Sequence, residues 1–196
     1  MIANAMDFLI RSFAGFFILA LLARFYMLAL KAPFKNPLGQ FIMALTNWMV
    51  LPTRRVLPAV RQYDSATFVV AWGWACSMYV LLLWLSPWPF AFGALQSVVA
   101  IALTGLLELL KMSLYLLFAA VIGQALLSWV APYSPMMPLF NTLTTPFLRP
   151  LRRVIPPVGH VDITPMVLGI VIVVLNIFVA GGQQALLNGI PLPTLN

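Results

Sequence analysis

Long apolar runs alternate with short polar stretches along this chain of 196 residues. The first run extends over about residues 8–30 and the second over about 67–85. Each is long enough, as a helix rising 1.5 Å per residue, to cross the roughly 30 Å hydrocarbon core of a bilayer. A third run, over about 90–131, carries only Glu108 and Lys111 as charges. The pattern predicts several membrane-spanning helices.

The third run leaves the number of spans open because it contains no strong turn signal. It could hold two spans, or one span over about 106–130 preceded by an outer-face or membrane-surface segment over 87–105. A fourth run, over about 166–181, begins after a Thr-Pro step, which suits a helix N-terminus. The tail over 183–196 is rich in proline, and we expect it to be irregular.

The two polar stretches between these runs repeat each other. The motif P-x-R-R-V-[LI]-P begins at Pro52 and again at Pro150, which is 98 residues downstream. The same offset relates Pro37 to Pro135. A gap-free match of this kind indicates an internal duplication. We therefore predict a first repeat over 1–86, with spans at about 8–30 and 67–85, and a second over 106–182.

Each polar stretch also contains a short amphipathic segment before its arginine pair. Apolar side chains recur at three- and four-residue spacing over 38–49 and over 139–148. Segments of this kind are expected to lie in the membrane interface, and Pro146 is expected to end or kink the second one. The predicted fold class is an all-α integral membrane protein of two tandem repeats. Each repeat has two transmembrane helices joined by a Pro- and Arg-rich loop with a short interfacial amphipathic helix.

Composition and charge support the membrane assignment and suggest its topology. The chain is 63% hydrophobic and 8% charged, whereas a soluble domain carries about 25% charged residues. The net charge of +7 comes mainly from basic residues in the two loops, and the positive-inside rule places both loops in the cytoplasm. If both loops lie on the same side of the membrane, an even number of spans must separate them. This requires four spans in total, with both termini outside. The charge pattern disfavours a five-span alternative with inverted repeats, as in many transporters.

The loop motifs resemble the signature of the YggT family, also called YlmG. In the first loop the match departs at Asn47-Trp48, at Arg61 and at Ala66-Thr67. The residues that carry the resemblance and that we interpret as structural members of the motif are Asn36, Pro37, Pro52, Pro58, Asp64, Pro135, Pro146, Pro150, Pro156, Gly159, Asp162 and Pro165.

The resemblance implies a process rather than a reaction. Bacterial members have suggested links to cell division, envelope organisation or osmotic tolerance, and plastid relatives are associated with cytochrome b6 haem attachment and nucleoid distribution. It implies a non-enzymatic scaffold or assembly factor of the cell inner membrane. The alternative is a small channel or transporter involved in osmotic tolerance.

The arginine pairs are the most repeated charged feature, and guanidinium groups pair well with phosphates and carboxylates. We interpret the loop arginines as candidates for docking or lipid contact, against the alternative that they only set topology. Asp64 and Asp162 are each expected to pair with an arginine of the same loop, to cap the next helix, or both. The candidate docking residues are Arg54, Arg55, Arg149, Arg152 and Arg153.

Few side chains offer chemistry beyond these arginines. With one histidine, His160, and one cysteine, Cys76, we predict no catalytic residue, no metal site and no cofactor. Arg24 could serve an intramembrane function or snorkel to the head groups, and Glu108 and Lys111 could form an ion pair at the start of the third span. The expected partners are the bilayer, anionic head groups and other membrane or cytoplasmic proteins, or a second copy. Direct nucleic-acid binding is not expected.

Overall fold

In the computed structural model of the chain, the described residues are 2–57, 64–86, 94–155 and 162–189. No strand occurs within these ranges, so the predicted all-α fold is confirmed. Four helices, α1, α3, α4 and α6, are long and apolar enough to cross a membrane. The helices are α1 (Ile2–Ala29), α2 (Pro37–Arg54), α3 (Ser65–Leu85), α4 (Leu95–Val130), α5 (Met137–Val154) and α6 (Thr164–Asn188).

The long helices alternate in direction within each repeat. In the first repeat, the rings of Phe25 and Phe68 lie 5.8 Å apart, and Phe17 stacks on Trp74 at 5.1 Å. These contacts pair the end of α1 with the start of α3. In the second repeat, Gln96 Nε2 donates to the Gly189 carbonyl at 2.9 Å, which pairs the start of α4 with the end of α6. Each repeat is therefore an antiparallel pair.

The two repeats also have the same orientation. Ile101 near the start of α4 packs with Met78 near the end of α3, and Leu109 further along α4 packs with Ala71 of α3. Helices α3 and α4 are thus antiparallel, so α1 and α4 run in the same direction. The four-span, parallel-repeat arrangement is confirmed for the described residues, and the inverted five-span alternative is wrong.

This arrangement defines what we call the basic side of the bundle. It is the side where α1 and α4 end and where α3 and α6 begin. Helices α2 and α5 connect the spans at this side, and both carry arginines in their last turn. The assignment of the basic side to the cytoplasm stays a prediction.

Helix α4 is longer than the predicted span. It has 36 residues and begins at Leu95, so it is about 54 Å long at 1.5 Å per residue. The expected break before residue 106 does not occur, because residues 95–105 contain no proline and their buried members pack against α3. Glu108 consequently lies well inside α4 rather than at its start.

The helices of the two loops continue through prolines, one of which was expected to end or kink its helix. Asn36 caps α2, with its side-chain oxygen accepting from the Gly39 amide at 2.7 Å, and the helix includes Pro52. Helix α5 includes Pro146 and Pro150. Pro146 therefore does not end this helix, and the prediction that it would do so is wrong. Both prolines are exposed, so water can bind the carbonyl groups that lack an amide partner.

Two glycines of α4 allow neighbouring helices to approach closely. A Cβ atom at Gly105 would lie 2.8 Å from Cys76 Sγ of α3, and one at Gly123 would lie 2.9 Å from the ring of Phe140 in α5. The absence of a side chain at Gly123 therefore seats α5 against α4.

Candidate functional site

At the basic side, each repeat ties its short helix to the next span by an ion pair. In the first repeat, Arg54 Nη2 pairs with Asp64, and Arg54 Nε lies 3.2 Å from both carboxylate oxygens. Asp64 is also the N-cap of α3 and accepts from the Thr67 hydroxyl at 2.5 Å. Its side chain is buried. One carboxylate thus joins the end of α2 to the start of α3.

The second repeat contains the same arrangement 98 residues downstream. Arg152 Nη2 lies 2.8 Å from Asp162 Oδ2, and Arg152 Nε donates to the same oxygen at 2.9 Å. The Thr164 amide, at the first residue of α6, donates to Asp162 Oδ1 at 3.0 Å. The predicted pairing of each aspartate with a loop arginine is confirmed in both repeats. We call these two contacts the Arg–Asp clamps.

The clamps hold both aspartates in their ionised form. Burial raises the pKa of Asp64, but the hydrogen bonds from Arg54 and Thr67 outweigh burial and leave this pKa below its ordinary value. The pKa of Asp162 is lowered for the same reasons, with burial opposed by hydrogen bonds from Thr164 and by the charge of Arg152. Each clamp is therefore a charged contact at neutral pH.

The clamps divide each arginine pair into two roles. The guanidinium groups of Arg54 and Arg152 are occupied by aspartates. Arg55 and Arg153, by contrast, are exposed and make no ion pair with a described residue. Arg149 is likewise exposed without an ion pair there. Of the five predicted docking residues, Arg55, Arg149 and Arg153 have their charge available to another molecule.

Most of the excess positive charge lies at the basic side. Each of the four acidic residues pairs with one basic residue, so the seven remaining basic residues equal the net charge of +7. One of these, Arg24, is buried inside the bundle, and Arg61 lies outside the described residues. The other five belong to the basic side: Lys31, Lys35, Arg55, Arg149 and Arg153.

Arg24 does not reach the head groups, so the snorkelling interpretation is wrong. Its side chain is 0% exposed, and its Nη1 donates to Thr46 Oγ1 and Asn47 Oδ1 of α2, both at 2.8 Å. Its Nε has no hydrogen-bond partner among the described residues. The amphipathic helix α2 turns its polar side towards Arg24 and keeps the guanidinium inside the protein.

The second repeat has a counterpart to this contact that sequence analysis missed. Thr144 of α5, 98 residues after Thr46, is also buried, and its hydroxyl lies 2.6 Å from Gln124 Oε1 of α4. Gln124 Nε2 in turn donates to Asn141 Oδ1 at 2.7 Å. In both repeats, a buried threonine of the short helix thus meets a polar side chain of the preceding span. The 98-residue offset relates the two threonines, but it could not have identified their partners, because Arg24 and Gln124 are 100 residues apart.

A second polar cluster lies within the spans, towards the side opposite the basic side. The predicted ion pair is confirmed, with Lys111 Nζ 2.7 Å from Glu108 Oε2. The same oxygen accepts from the Tyr79 hydroxyl and from Gln183 Nε2, each at 2.7 Å. Tyr79 was not predicted, because nothing within its own span indicates a partner on another helix. Gln183 was not predicted, because it falls in the tail over 183–196 that was expected to be irregular; that expectation is wrong as far as Asn188, where α6 ends. The cluster joins α3, α4 and α6.

Several cavities border these groups. A polar cleft of about 580 Å³ lies beside Arg149 and Arg153, and an apolar crevice of about 150 Å³ lies between α1, α4 and α5. An apolar groove of about 880 Å³ follows α4 and α6 and has the second Arg–Asp clamp on its wall. A cleft of about 320 Å³ borders Asp7, Arg11 and Tyr79.

The remaining predicted site residues are distributed as follows. Pro37 and Pro165 lie in the first turns of α2 and α6, and Pro135 lies just before α5. In the described part of the chain, no three His, Cys, Asp or Glu side chains converge as metal ligands would. Besides Arg61, four residues named above lie outside the described residues: Pro58, Pro156, Gly159 and His160.

Comparison with known proteins places this arrangement among relatives. The family model described as CCB3/YggT matches residues 3–85 and 103–183. The two matched segments end 98 residues apart, in agreement with the internal duplication. No solved structure matches the chain.

Curated relatives match along most of their length. The chain is 34% identical over 166 residues to an uncharacterized protein in the proC 3'region of Vibrio alginolyticus, which covers 84% of this chain and 88% of the relative. It is 33% identical over 183 residues to the uncharacterized protein YggT of Escherichia coli K12, covering 93% of each. It is 27% identical to the uncharacterized protein PA0392 of Pseudomonas aeruginosa over 96% of this chain and 94% of the relative.

Proposed function

The chain belongs to the CCB3/YggT family, and from this premise we propose that it is a non-enzymatic scaffold or assembly factor of the cell inner membrane. Four apolar helices anchor it as a multi-pass protein. Its basic side would recruit acidic proteins to the membrane surface. The observation that carries this proposal is the position of the uncompensated charge.

That charge is concentrated and is held on a rigid framework. Lys31 and Lys35 flank the connection between α1 and α2, and Arg55, Arg149 and Arg153 lie at the ends of the two short helices. The Arg–Asp clamps fix those helix ends to α3 and α6. Charged groups held in place lose little conformational freedom on binding, which favours recognition of a partner with complementary charge.

The distribution of titratable groups supports a binding role over an enzymatic one. Among the described residues, every carboxylate is already paired with a cation. A general acid or base requires a titratable group that can exchange a proton with a substrate in a cleft. The exposed charges of the basic side are instead cations suited to electrostatic docking.

One observation favours the alternative of a small channel or transporter. The Glu108 cluster places an ion pair inside the spans, and Ser97 Oγ and Thr104 Oγ1 of the same helix are buried without a hydrogen-bond partner in the described part of the chain. Polar groups along a transmembrane helix are typical of solute pathways. Solute flux through vesicles containing the purified protein would support this alternative, and tight vesicles would support the scaffold.

Site-specific photo-crosslinking in cells tests the scaffold directly. A photoreactive amino acid at Val56, which is 79% exposed on the basic side, is compared with one at Leu95, which is also 79% exposed but at the opposite end of the spans. We expect discrete protein adducts at Val56 and none of the same proteins at Leu95. The double variant Lys35→Glu and Arg55→Glu should remove those adducts, since it reverses two uncompensated charges.

The matched control reverses charge on the other side. Arg11→Glu changes a residue of α1 that is far from the basic side, where Arg11 pairs with Asp7 and also interacts with Tyr79, so the adducts at Val56 should be unchanged. Adducts that persist in the double variant, or that disappear equally in Arg11→Glu, would contradict docking through the basic side.

A further inference from the structure

Helix α5 carries a polar face that its counterpart α2 lacks. At positions related by 98 residues, the two helices occupy the same place in their repeats and bear the same clamp arginine. The side chains beside the clamp differ in kind. Polar residues of α5 face the 580 Å³ cleft, whereas three of their counterparts in α2 are apolar: Asn141, Thr142 and Arg149 correspond to Met43, Ala44 and Leu51.

This difference shows that the polar face is not needed to build the repeat. In α2 the side chain of Met43 is half-buried and those of Ala44 and Leu51 are exposed, so the fold tolerates apolar residues at these positions. Exposed arginines in an interfacial helix give only small increments of stability. The polar face of α5 therefore requires an explanation outside folding, which is a ligand in the adjacent cleft.

The cleft has the donors of an anion site. Arg149 and Arg153 are four residues apart on one face of α5, and both line the cleft. Asn141 also lines it, and its carbonyl oxygen is occupied by Gln124, which leaves the side-chain amino group free to donate. Two guanidinium groups and an amide donor are suited to a phosphate, which accepts several charge-assisted hydrogen bonds at once.

The cleft adjoins an apolar space inside the bundle. Leu30, at the end of α1, lines both the polar cleft and the 150 Å³ crevice below it. The crevice is formed by apolar side chains of α1, α4 and α5, including Tyr26, Leu117 and Phe147. A cationic cleft at the basic side thus borders an apolar crevice between the helices.

We propose that this combined site binds one anionic phospholipid from the leaflet on the basic side. The phosphate would bind Arg149, Arg153 and the Asn141 amide. An acyl chain would enter the crevice past Leu30. The charge of the cleft selects an anionic head group, and the crevice distinguishes a lipid from a free phosphate because only a lipid can fill both.

The proposal goes beyond the scaffold function and can fail independently of it. Lipid binding is measured on the purified protein, without any cytoplasmic partner. The docking experiment changes Lys35 and Arg55, neither of which lines the cleft.

Native mass spectrometry of the purified full-length protein tests the site. The protein is delipidated in detergent and then titrated with phosphatidylglycerol or with phosphatidylcholine carrying the same acyl chains. We expect one phosphatidylglycerol to be retained per chain, with at least about tenfold preference over phosphatidylcholine. Both lipids carry the phosphate, so the preference arises because the two guanidinium groups repel the choline ammonium group of phosphatidylcholine; a tenfold preference corresponds to about 1.4 kcal/mol.

Variants separate the two halves of the site. The double variant Arg149→Gln and Arg153→Gln should lose the preference for phosphatidylglycerol, while Arg55→Gln, at the position in α2 that corresponds to Arg153, should keep it. Ala120→Leu narrows the crevice and should weaken retention of both lipids. Melting temperatures in detergent identify any variant that is misfolded, and the surface variants at Arg149 and Arg153 are expected to melt as the wild type does.

Three results would overturn the proposal. Equal retention of the two lipids would show that the cleft does not distinguish one head group from the other. An equal loss of the preference for phosphatidylglycerol in Arg55→Gln would show that the preference depends on the overall charge of the protein instead of on this cleft. Displacement of phosphatidylglycerol by an equal concentration of inorganic phosphate would assign the cleft to a free anion instead of a lipid.

Discussion

Arg24 is a fully buried arginine in a transmembrane helix. It makes two hydrogen bonds to α2, both through Nη1, and no carboxylate contacts it among the described residues. Removing such a charge from water costs several kcal/mol, and neutral hydrogen bonds recover only part of that cost. A charged residue that lies inside a membrane despite this desolvation cost is a candidate for function.

Whether the buried charge of Arg24 stabilises or destabilises the folded protein is testable. We expect Arg24→Met to leave the free energy of unfolding unchanged or to raise it by about 1–4 kcal/mol, since an apolar side chain of similar volume replaces a desolvated charge. Thr46→Val should lower stability by about 1–3 kcal/mol, because it leaves the buried guanidinium with one partner fewer. Melting temperatures in detergent measure both. A marked loss of stability in Arg24→Met would show that the buried charge is structural.

At the residue scale, sequence predicted contacts that are local and missed those that are not. The Glu108–Lys111 pair is set by helical spacing, and the Arg–Asp pairs are each ten residues apart within one loop. The Arg24–Thr46 and Tyr79–Glu108 contacts join different helices. No periodicity within one helix reveals which neighbour it meets, so these contacts had to come from the structure.

The short helices owe their placement to contacts at both ends. Helix α2 is capped by Asn36 at its start and held by Arg54 at its end, and Arg152 holds α5 in the same way. The first clamp is more buried than the second, with side-chain exposures of 3% for Asp64 and 38% for Asp162. Screening by solvent is weaker at a buried pair, so the first clamp is the stronger.

The lowered pKa values of the two aspartates predict loss of stability in acid. A carboxyl group whose pKa is lower in the folded state stabilises that state above its unfolded pKa, about 3.9. The contribution disappears as pH falls through the folded pKa. We expect the melting temperature to fall as pH drops below about 4, and Asp64→Asn to reduce this fall more than Asp162→Asn does. Melting curves from pH 7 to pH 3 measure it.

A control for general charge effects is available at the opposite end of α1. Asp7→Asn removes one carboxylate that pairs with Arg11 at the exposed surface and touches neither clamp. An acid response of Asp64→Asn identical to that of Asp7→Asn would contradict a specific role for the clamp.

At the element scale, sequence predicted the observed type of helices and favoured four spans, but it left the third run open to two spans and did not locate the helix ends. The span over 106–130 was placed by projecting α1 forward by the repeat offset, yet α4 begins at Leu95, because the duplicated helices differ in length. Pro146 was expected to end or kink α5. Its position on the exposed side of that helix, where water replaces the missing hydrogen bond, could not be known from the chain alone.

The whole molecule is two repeats in the same orientation, packed side by side. Within each repeat the two spans are antiparallel, and α4 of the second repeat contacts both spans of the first. The duplication and the single offset of 98 residues were predictable, since they are properties of the sequence. The asymmetry between the repeats was not, because the polar face of α5 acquires meaning only beside the cleft that it lines.

Cysteine labelling tests the sidedness of this arrangement. In a Cys76→Ala background, single cysteines are placed at Val56 and Val154, which are 98 residues apart and 79% and 78% exposed. We expect a membrane-impermeant maleimide to label both from the cytoplasmic side only, and to label Leu95→Cys from the other side. Labelling of Val56→Cys and Val154→Cys from opposite sides would contradict parallel repeats.

Because the repeats have the same orientation, duplication added their excess charges on one face of the membrane. Inverted repeats would have placed the same charges on both faces. The protein therefore carries more positive charge at one membrane face than at the other. Moving one elementary charge across a potential of 100 mV takes about 2.3 kcal/mol. With the basic side in the cytoplasm, as predicted, and the cell interior negative, each uncompensated lysine or arginine of this side adds to the work of reversing the protein, so the membrane voltage would favour this orientation.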